Sequence, residues 1–454
     1  MIDYSALRAD LRRVVRGQVL VSGDSGFDQA RLPWDSAVEQ RVSAVVEVAD
    51  AADAAALVGY ARGAGLGLAT QPLGHAPATF DDAILVRTKR LSGIEIDPRE
   101  RTARIGSGVL WGDVLAASSK HGLTGLAGST GYVSTTGFTL GGGLSWFGRK
   151  YGFAANNVRW FDIVDADGVP QRVTADSDPE LFWALRGGGG DFALVTGMEF
   201  NLFPTPELYG GRILWPAAKA QEVMAAFREI TATAPEELTL WFQLIQFPPF
   251  PELPEPLRGL SAVVMDVTYL GSAAEAAELL APFDRIPGAI MDGRGMMDVA
   301  DLPGICAEPT DPMAALSHTE LFERFDAEAA AQLLAAAGPG TIEPLVTLQV
   351  RHLGGALSRA AETDGACGHV AEPYLLFMLG VLPFPELAGP IKAKQQAIAG
   401  AVRPYVSGRQ PFTLLNHGAP ASDAFPAETV ERLREIKRRR DPRGTFRSNH
   451  SVLG

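Results

Sequence analysis

The chain has little cysteine, an excess of acid over base and no long apolar run, and each shortage excludes a class of protein. Two cysteines, Cys306 and Cys367, cannot build a disulfide framework in 454 residues, so a reducing, cytoplasmic setting is expected. A net charge of -13 repels nucleic acid and anionic membrane, and neither is expected as a partner. The basic run Lys437, Arg438, Arg439 and Arg440 lies on an expected helix beside Asp441 and reads as a solvated face. No stretch approaches the roughly 20 consecutive apolar residues of a membrane span. The opening M-I-D-Y-S-A-L-R-A-D-L-R-R mixes acids with bases, as in an amphipathic helix and unlike a secretory leader. No metal site is expected.

What the chain does have is glycine in blocks. The stretch 125–158 reads G-L-A-G-S-T-G-Y-V-S-T-T-G-F-T-L-G-G-G-L-S-W-F-G-R-K-Y-G-F-A-A-N-N-V. Glycine lets backbone approach a ligand closely, and small hydroxyl residues add donors without bulk. Backbone that wraps a phosphate wants this composition. It is not a Walker loop, because no G-K-[ST] follows, and no strand-turn-helix with a ribose-binding acid makes it a Rossmann turn. A second block, F-W-A-L-R-G-G-G-G-D-F-A-L-V-T, occupies 182–196.

A hydrophobic content of 46% and a length of 454 residues suit a globular protein of two domains. Strands are expected at 42–47, 66–69, 84–86, 93–96, 102–105, 158–164 and 173–175. Helices are expected at 50–62, 111–121 and 179–186, with Gly122 as a stop. Beyond Pro206 the texture changes to longer units. Strands are expected at 238–247, 262–270, 345–352 and 374–381, and helices at 217–232, 273–280, 328–336 and 389–402. Residues 247–256 form a proline-dense loop, and a last helix covers 427–440. This second part suits an antiparallel sheet with helices on one face.

Four segments in order carry a resemblance: T-Q-P-L-G-H-A-P at 70–77, the two glycine blocks, and D-P-R-G-T-F-R-S-N-H at 441–450. Together they resemble the vanillyl-alcohol-oxidase/PCMH flavoproteins, and within them the berberine-bridge-enzyme-like FAD-linked oxidases. The resemblance implies an α+β fold in three parts. These are a two-subdomain PCMH-type FAD-binding domain (1–205), a substrate domain with an antiparallel sheet covered by helices on one face (206–408), and a C-terminal return onto the FAD domain (409–454).

The resemblance also implies a cofactor, FAD, attached once through His75. A neutral imidazole suits that chemistry near neutral pH. The loop departs from the family's R-S-G-G-H: Gln71 stands for arginine, Pro72 for serine and Leu73 for the first glycine, ahead of Gly74. Pro72 removes a backbone N–H and the lost arginine removes a charge, so attachment is expected to suffer more than binding. Thr130 stands where bicovalent relatives have cysteine, while Cys306 and Cys367 belong to the substrate domain and are expected far off. Pyrophosphate and ring are expected against Gly128, Ser129, Thr130, Gly131, Ser134, Thr135, Thr136, Gly137, Gly141, Gly142, Gly143 and Leu144. Asn156 (or Asn157), Val195, Asn449 and His450 match further cofactor positions of the family.

Strand alternation assigns the substrate face. Trp241 and Gln243 lie opposite Leu240, Phe242 and Leu244. Thr347, Gln349 and Arg351 lie opposite Val346, Leu348 and Val350. In 374–381, Leu375, Phe377, Leu379 and Val381 are expected under the helices, leaving Tyr374, Met378 and Gly380 over the flavin. Leu414 and Asn416 complete the substrate set. Many relatives have a tyrosine base at the position of Leu414, so His417, Tyr374 or His352 is expected to substitute.

The implied function is hydride transfer from a C–H beside a hydroxyl or amine of a small organic substrate to flavin N5, with O₂ as the expected acceptor. The alternative is a flavoprotein scaffold for a non-redox cyclisation or isomerisation, which Leu414 favours modestly.

Overall fold

The computed structural model describes residues 3–249, 251, 255–338 and 340–453, so part of the expected loop 247–256 lies outside the described residues. Local chemistry explains the element ends. Helix Ala51–Ala64 starts where the Asp50 carboxylate accepts the Asp53 N–H at 3.0 Å, and stops at Gly65 in the left-handed region (φ 69°). Its buried residues Ala54, Leu57, Val58 and Ala61 recur at helical spacing and cover the first sheet. The expected 111–121 helix is helix Trp111–Ser118 continued by a 3-10 turn, and Gly122 at φ 63° ends it.

Two five-stranded sheets share the N-terminal half. The first runs Gln18–Val21, Ala44–Glu47, Ala83–Arg87, Gly67–Thr70 and Phe446–Arg447, with parallel pairing except at Gln18–Val21. The second is antiparallel, in the order Ile94–Asp97, Thr102–Gly106, Leu194–Asn201, Val158–Val164 and Pro170–Val173.

The C-terminal half is built on an eight-stranded antiparallel sheet. Its long strands run Tyr209–Pro216, Ser261–Tyr269, Leu238–Gln246, Thr347–His352, Tyr374–Val381 and, at the edge, Ala315–Phe322. Helices Ala220–Thr231, Ala273–Asp284, Ala327–Ala337 and Ala388–Val402 cover one face, as alternation along the strands requires. Two of these strands are absent from the sequence expectations. In Tyr209–Pro216 the pair Gly210–Gly211 blanks the alternation, and a Cβ at Gly211 would lie 2.3 Å from the Gly293 carbonyl oxygen. In Ala315–Phe322 polar residues occur on both faces.

The C-terminal return is fastened by a residue that the charge pattern assigns to solvent. Lys437 is buried, not solvated. Its ammonium donates to the Asp191 carbonyl at 2.6 Å, to Asp441 Oδ2 at 2.7 Å and to the Phe446 carbonyl at 2.7 Å. Asp441 also accepts the Thr445 and Phe446 N–H groups, and the Asp191 carboxylate accepts those of Ser448 and Val452. Only the neighbours keep to the surface, where Arg438 pairs with Glu431, Arg439 with Glu180 and Arg440 with Asp178. Removing one partner of such a buried pair typically costs about 3–5 kcal/mol, because the other charge is left uncompensated. Lys437→Met should therefore lower the urea midpoint by an amount equivalent to about 3–5 kcal/mol, while Arg438→Met leaves it within about 0.5 kcal/mol. Equal effects would refute this account.

Candidate functional site

The site forms where the glycine blocks meet the open face of the large sheet. Gly142 (φ 106°) and Gly143 (φ 78°) make a turn that L side chains rarely adopt, and a Cβ on Gly143 would lie 2.6 Å from the Phe138 ring. Leu144 then packs with Phe153, Leu321 and Leu375 across the two halves. Trp146 stacks on Trp241 of the sheet with ring centroids 3.7 Å apart, and the Thr239 hydroxyl donates to its carbonyl at 2.7 Å. Leu414, on a short 3-10 turn and not a strand, packs at the same seam against the apolar cluster that includes Leu144, Leu321 and Leu375.

Strand faces separate the expected substrate residues. Trp241, Gln243, Gln349 and Arg351 share the face turned to Trp146, while Leu240, Phe242, Leu348 and Val350 pack under the helices. For 374–381 the expectation is inverted. Tyr374, Leu376 and Met378 lie under the helices, and Gly380 meets Ile391 there, while Leu375 and Phe377 face the seam. Pairing decides it, since Phe377 is opposite Gln349 and Leu375 opposite Arg351. The apolar and mixed faces of this strand are too alike in sequence for alternation alone to orient them.

Two candidate bases therefore fall away. The Tyr374 hydroxyl is 2.8 Å from Thr231 Oγ1 on a covering helix, and its ring packs on Phe227 and Phe325. His352 Nε2 accepts from the Arg149 guanidinium at 2.9 Å, leaving Nδ1 buried without a partner. Burial, with Arg149 alongside, pushes His352 down to about 2, so it stays neutral and accepts a proton poorly near neutrality. His417 lies in a turn closed by the Ala419 N–H to the Asn416 carbonyl at 2.9 Å, with Gly418 at φ 77°. It is exposed, close enough to Asp35 and His450 to influence both electrostatically. Asn416 Oδ1 accepts the Thr319 N–H at 2.9 Å, and Asn416 Nδ2 is 3.3 Å from His318 Nδ1. Thr319, on a strand the sequence reading lacks, has a buried hydroxyl without a partner.

The His75 loop has its own supports. The His75 ring stacks on Trp34, centroids 4.4 Å apart, and burial lowers its pKa to about 4. Gly74 has φ 87°, and a Cβ there would lie 2.5 Å from Gln71 Nε2. The Leu73 and Gly74 carbonyls accept the Trp34 and Asp35 N–H groups at 2.9 and 3.0 Å. Beneath the loop, Arg87 donates to the carbonyls of Gln71 (2.8 Å), Ala30 (2.9 Å) and Leu32 (2.9 Å), so a cation remains where position 71 has none.

The other expected cofactor residues divide between ligand-facing and protein-facing. Buried polar atoms without partners include Gln71 Nε2, Ser107 Oγ, Thr135 Oγ1, Thr136 Oγ1 and Trp146 Nε1. They come from the ends of the two five-stranded sheets and from the first glycine block. Such atoms are costly unless a ligand or water meets them, and a pyrophosphate-bearing cofactor fits that need. Gly137 is exposed and its N–H is capped by Ser134 Oγ at 3.2 Å, while Thr130 Oγ1 accepts the Tyr132 N–H at 3.1 Å. Ser129 is half-buried, and Gly131 abuts Gly112 and Pro303. Gly128 abuts Phe138, and Gly141 abuts Thr413. Val195 starts a bulge in its strand, and His450 is buried against Phe412 while Asn449 is exposed.

Asn156 is committed to protein. It bonds Asp364, Gly365 and Gly368, holding that turn against the glycine triplet. The same turn corrects the placement of Cys367, which is not remote: a Cβ on Gly187 would lie 2.3 Å from its Cβ and one on Gly142 3.3 Å. Burial raises the Cys367 thiol to about 12, so it stays protonated. The second glycine block is thus partly a packing surface, with Gly189 against Phe412 and Gly188 against Leu433. Among the described residues no cluster of His, Cys, Asp and Glu could hold a metal ion, and no described helix is long and apolar enough to cross a membrane.

With this geometry in view, the likeness to known proteins is specific. Residues 42–174 match the family of the FAD binding domain. The (R)-6-hydroxynicotine oxidase of Paenarthrobacter nicotinovorans is 36% identical over 205 residues, 44% of this chain and 45% of that protein. The FAD-dependent monooxygenase tpcD of Cochliobolus heterostrophus is 31% identical over 223 residues, 47% of this chain and 42% of that protein. The matching stretches thus span less than half of either relative. In fold, 6-hydroxy-D-nicotine oxidase from Arthrobacter nicotinovorans superposes with TM-score 0.82 at 24% identity over 95% of this chain and 97% of that one. Berberine bridge enzyme from Eschscholzia californica gives 0.83 at 18% identity over 99% of both. In fold the chain is thus similar to these oxidases, and residues 42–174 carry the sequence match to the FAD binding domain.

The buried imidazoles predict an acid limb of stability. His450, like His75, is lowered by burial to about 4 from an ordinary 6.5. Between those values the unfolded chain binds protons that the native state does not, so stability rises with pH across this window and is lost as pH falls through it. The thermal midpoint should drop from pH 6.5 towards pH 4, and His450→Gln should flatten part of that slope. A midpoint indifferent to pH there would count against the buried, neutral state.

Proposed function

We propose that the chain is an FAD-dependent oxidoreductase that oxidises a C–H beside a hydroxyl or amine of a small organic molecule. When bound, FAD supplies the two-electron acceptor for hydride, with O₂ taking the electrons onward. The observation that carries this reading is the seam itself. A mixed polar and aromatic sheet face, with Trp241, Gln349 and Arg351, stands across Trp146 from the glycine triplet and its unpartnered donors. We propose 1–205 as the part that holds FAD, 206–408 as the substrate part and 409–454 as the return, in a cytoplasmic protein. The residues orient the substrate and exclude water, and the cofactor carries the redox chemistry. Nothing in the site favours the non-redox alternative, since Leu414 is accounted for by packing against the apolar cluster of Leu144, Phe153 and Leu321.

Attachment through His75 is part of the proposal. Its support is an imidazole that stays neutral at ordinary pH and is held flat on Trp34. Thr130, its hydroxyl committed to the Tyr132 N–H, supplies no second link. Acid-precipitated protein should stay yellow and carry one FAD on the peptide containing His75, and His75→Ala should release all flavin on denaturation. Colourless precipitate from the unaltered protein would remove the covalent link.

His417 is the proposed proton acceptor, the one of the three candidate bases not buried under the helices. A positioned base contributes roughly a hundred- to ten-thousand-fold. Anaerobic mixing with an amine or alcohol substrate should bleach the flavin, and turnover without bleaching would refute hydride transfer. His417→Ala should slow alcohol-driven bleaching by about a hundredfold or more and alter its pH profile. An unchanged rate and profile would leave deprotonation to the substrate.

A further inference from the structure

Arg351 is a buried cation with one edge of its guanidinium fixed and the other free. Its Nε donates to Gln349 Oε1 at 2.8 Å. Gln349 Nε2 in turn donates to Gln243 Oε1 at 3.2 Å, and Gln243 Nε2 donates to the Asp266 carboxylate. This chain of amides crosses neighbouring strands and ends at an acid already held by Arg212, whose Nε and Nη2 meet the two carboxylate oxygens at 2.6 and 2.9 Å. The plane of Arg351 is set as well: it lies over the Trp241 ring at 3.9 Å, with Phe377 at 5.3 Å.

No carboxylate forms an ion pair with Arg351 among the described residues, and its Nη1 and Nη2 bond to no described residue. Asp266 is satisfied by Arg212, Gln243 and the Cys306 thiol, and Glu308 acts on Arg351 from beyond ion-pair range. Arg351 is only 9% exposed, on the face turned to Trp146 and the glycine triplet. A buried, unpaired charge is costly, whereas a fixed guanidinium fork matches a carboxylate with two parallel hydrogen bonds. Asp266, held by Arg212, and Glu308 act on Arg351 only at longer range, so neither occupies the free edge.

We propose that the Nη1/Nη2 edge of Arg351 is the anion-binding element of the substrate site, and that the substrate is an aromatic or other planar molecule bearing a carboxylate. The carboxylate takes the fork and the planar body lies along Trp241 and Phe377. This rests on the FAD-site reading for the site's location, but the test separates the two.

Calorimetric titration of the holoenzyme with benzoate and with benzamide measures the anion's contribution directly, without turnover. Benzoate should bind at least tenfold more tightly than benzamide, and Arg351→Met should weaken benzoate about 30- to 100-fold while leaving benzamide unchanged. Arg351→Lys keeps the charge and loses the fork. It should give an intermediate loss, and it serves if the methionine variant does not fold. Benzoate that fails to bind, equal affinity for the two probes, or unaltered benzoate affinity in either variant would overturn the inference. So would a variant that loses only affinity of the flavin for sulfite, which would assign the guanidinium to the cofactor. A protein that isolates without flavin would instead count against the proposed function, while the benzoate comparison would still be readable.

Discussion

Lys437 gives its ammonium protons to the Asp191 carbonyl, the Asp441 carboxylate and the Phe446 carbonyl, and the placement of the site follows from those bonds. They pin the chain end where Phe446 and Arg447 pair in parallel with Leu68 and Ala69. That strand leads straight into Gln71, Gly74 and His75. The same return carries Phe412 over Gly189, Thr413 over Gly141 and Leu414 into the seam. A buried ion pair is weak evidence for net stability, yet it is strong evidence for register, because no shifted pairing would satisfy all the acceptors. The last forty residues are therefore a structural part of a site whose glycines lie hundreds of positions earlier.

The two halves are also joined at a second place by a cation buried among carbonyls. Arg149, within the first glycine block, reaches the carbonyls of Leu238 (2.8 Å), Ala234 and Pro235 (both 3.2 Å), and also that of Leu353. Burial lowers it to about 10, still charged at neutrality. Arg87 does the same for the His75 loop. Carbonyl-capped arginines thus fix backbone at the His75 loop and in the first glycine block, and the missing arginine at position 71 is offset from a neighbouring strand.

Much of this was legible in the sequence, and the failures have particular causes. The glycine blocks, the helices with Asp50 or Ser272 caps and the four long β-rich segments of the second half are local signals, and they appear where expected. The faces of Thr347–His352 and Leu238–Gln246 were legible because polar and apolar residues alternate cleanly. Tyr374–Val381 has Leu375, Leu376, Phe377, Met378 and Leu379 in succession, so its facing is set only by register against Gln349 and Arg351. Lys437 looked solvated because its partners, Asp191 and Phe446, come from other elements. Cys367 looked remote because only the Asn156 bonds to residues 364–368 bring it to the glycines.

The charge states of the site now form one pattern. His75, His352 and His450 are all driven towards neutrality by burial, to about 4, 2 and 4. The thiols of Cys306 and Cys367 are raised by the same desolvation and stay protonated. Desolvation on this scale should equally discharge or expel an unpaired cation, yet Arg351 stays among the same walls. A guanidinium resists deprotonation where imidazole does not, since its ordinary value lies so far above neutrality. Arg351 therefore holds a fixed positive charge on the face turned to Trp146, with the charges of Glu308 and the Arg212-paired Asp266 farther off. Such a field opposes positive charge near Arg351, so an amine substrate would be favoured there in its neutral form, the form whose lone pair can assist loss of hydride.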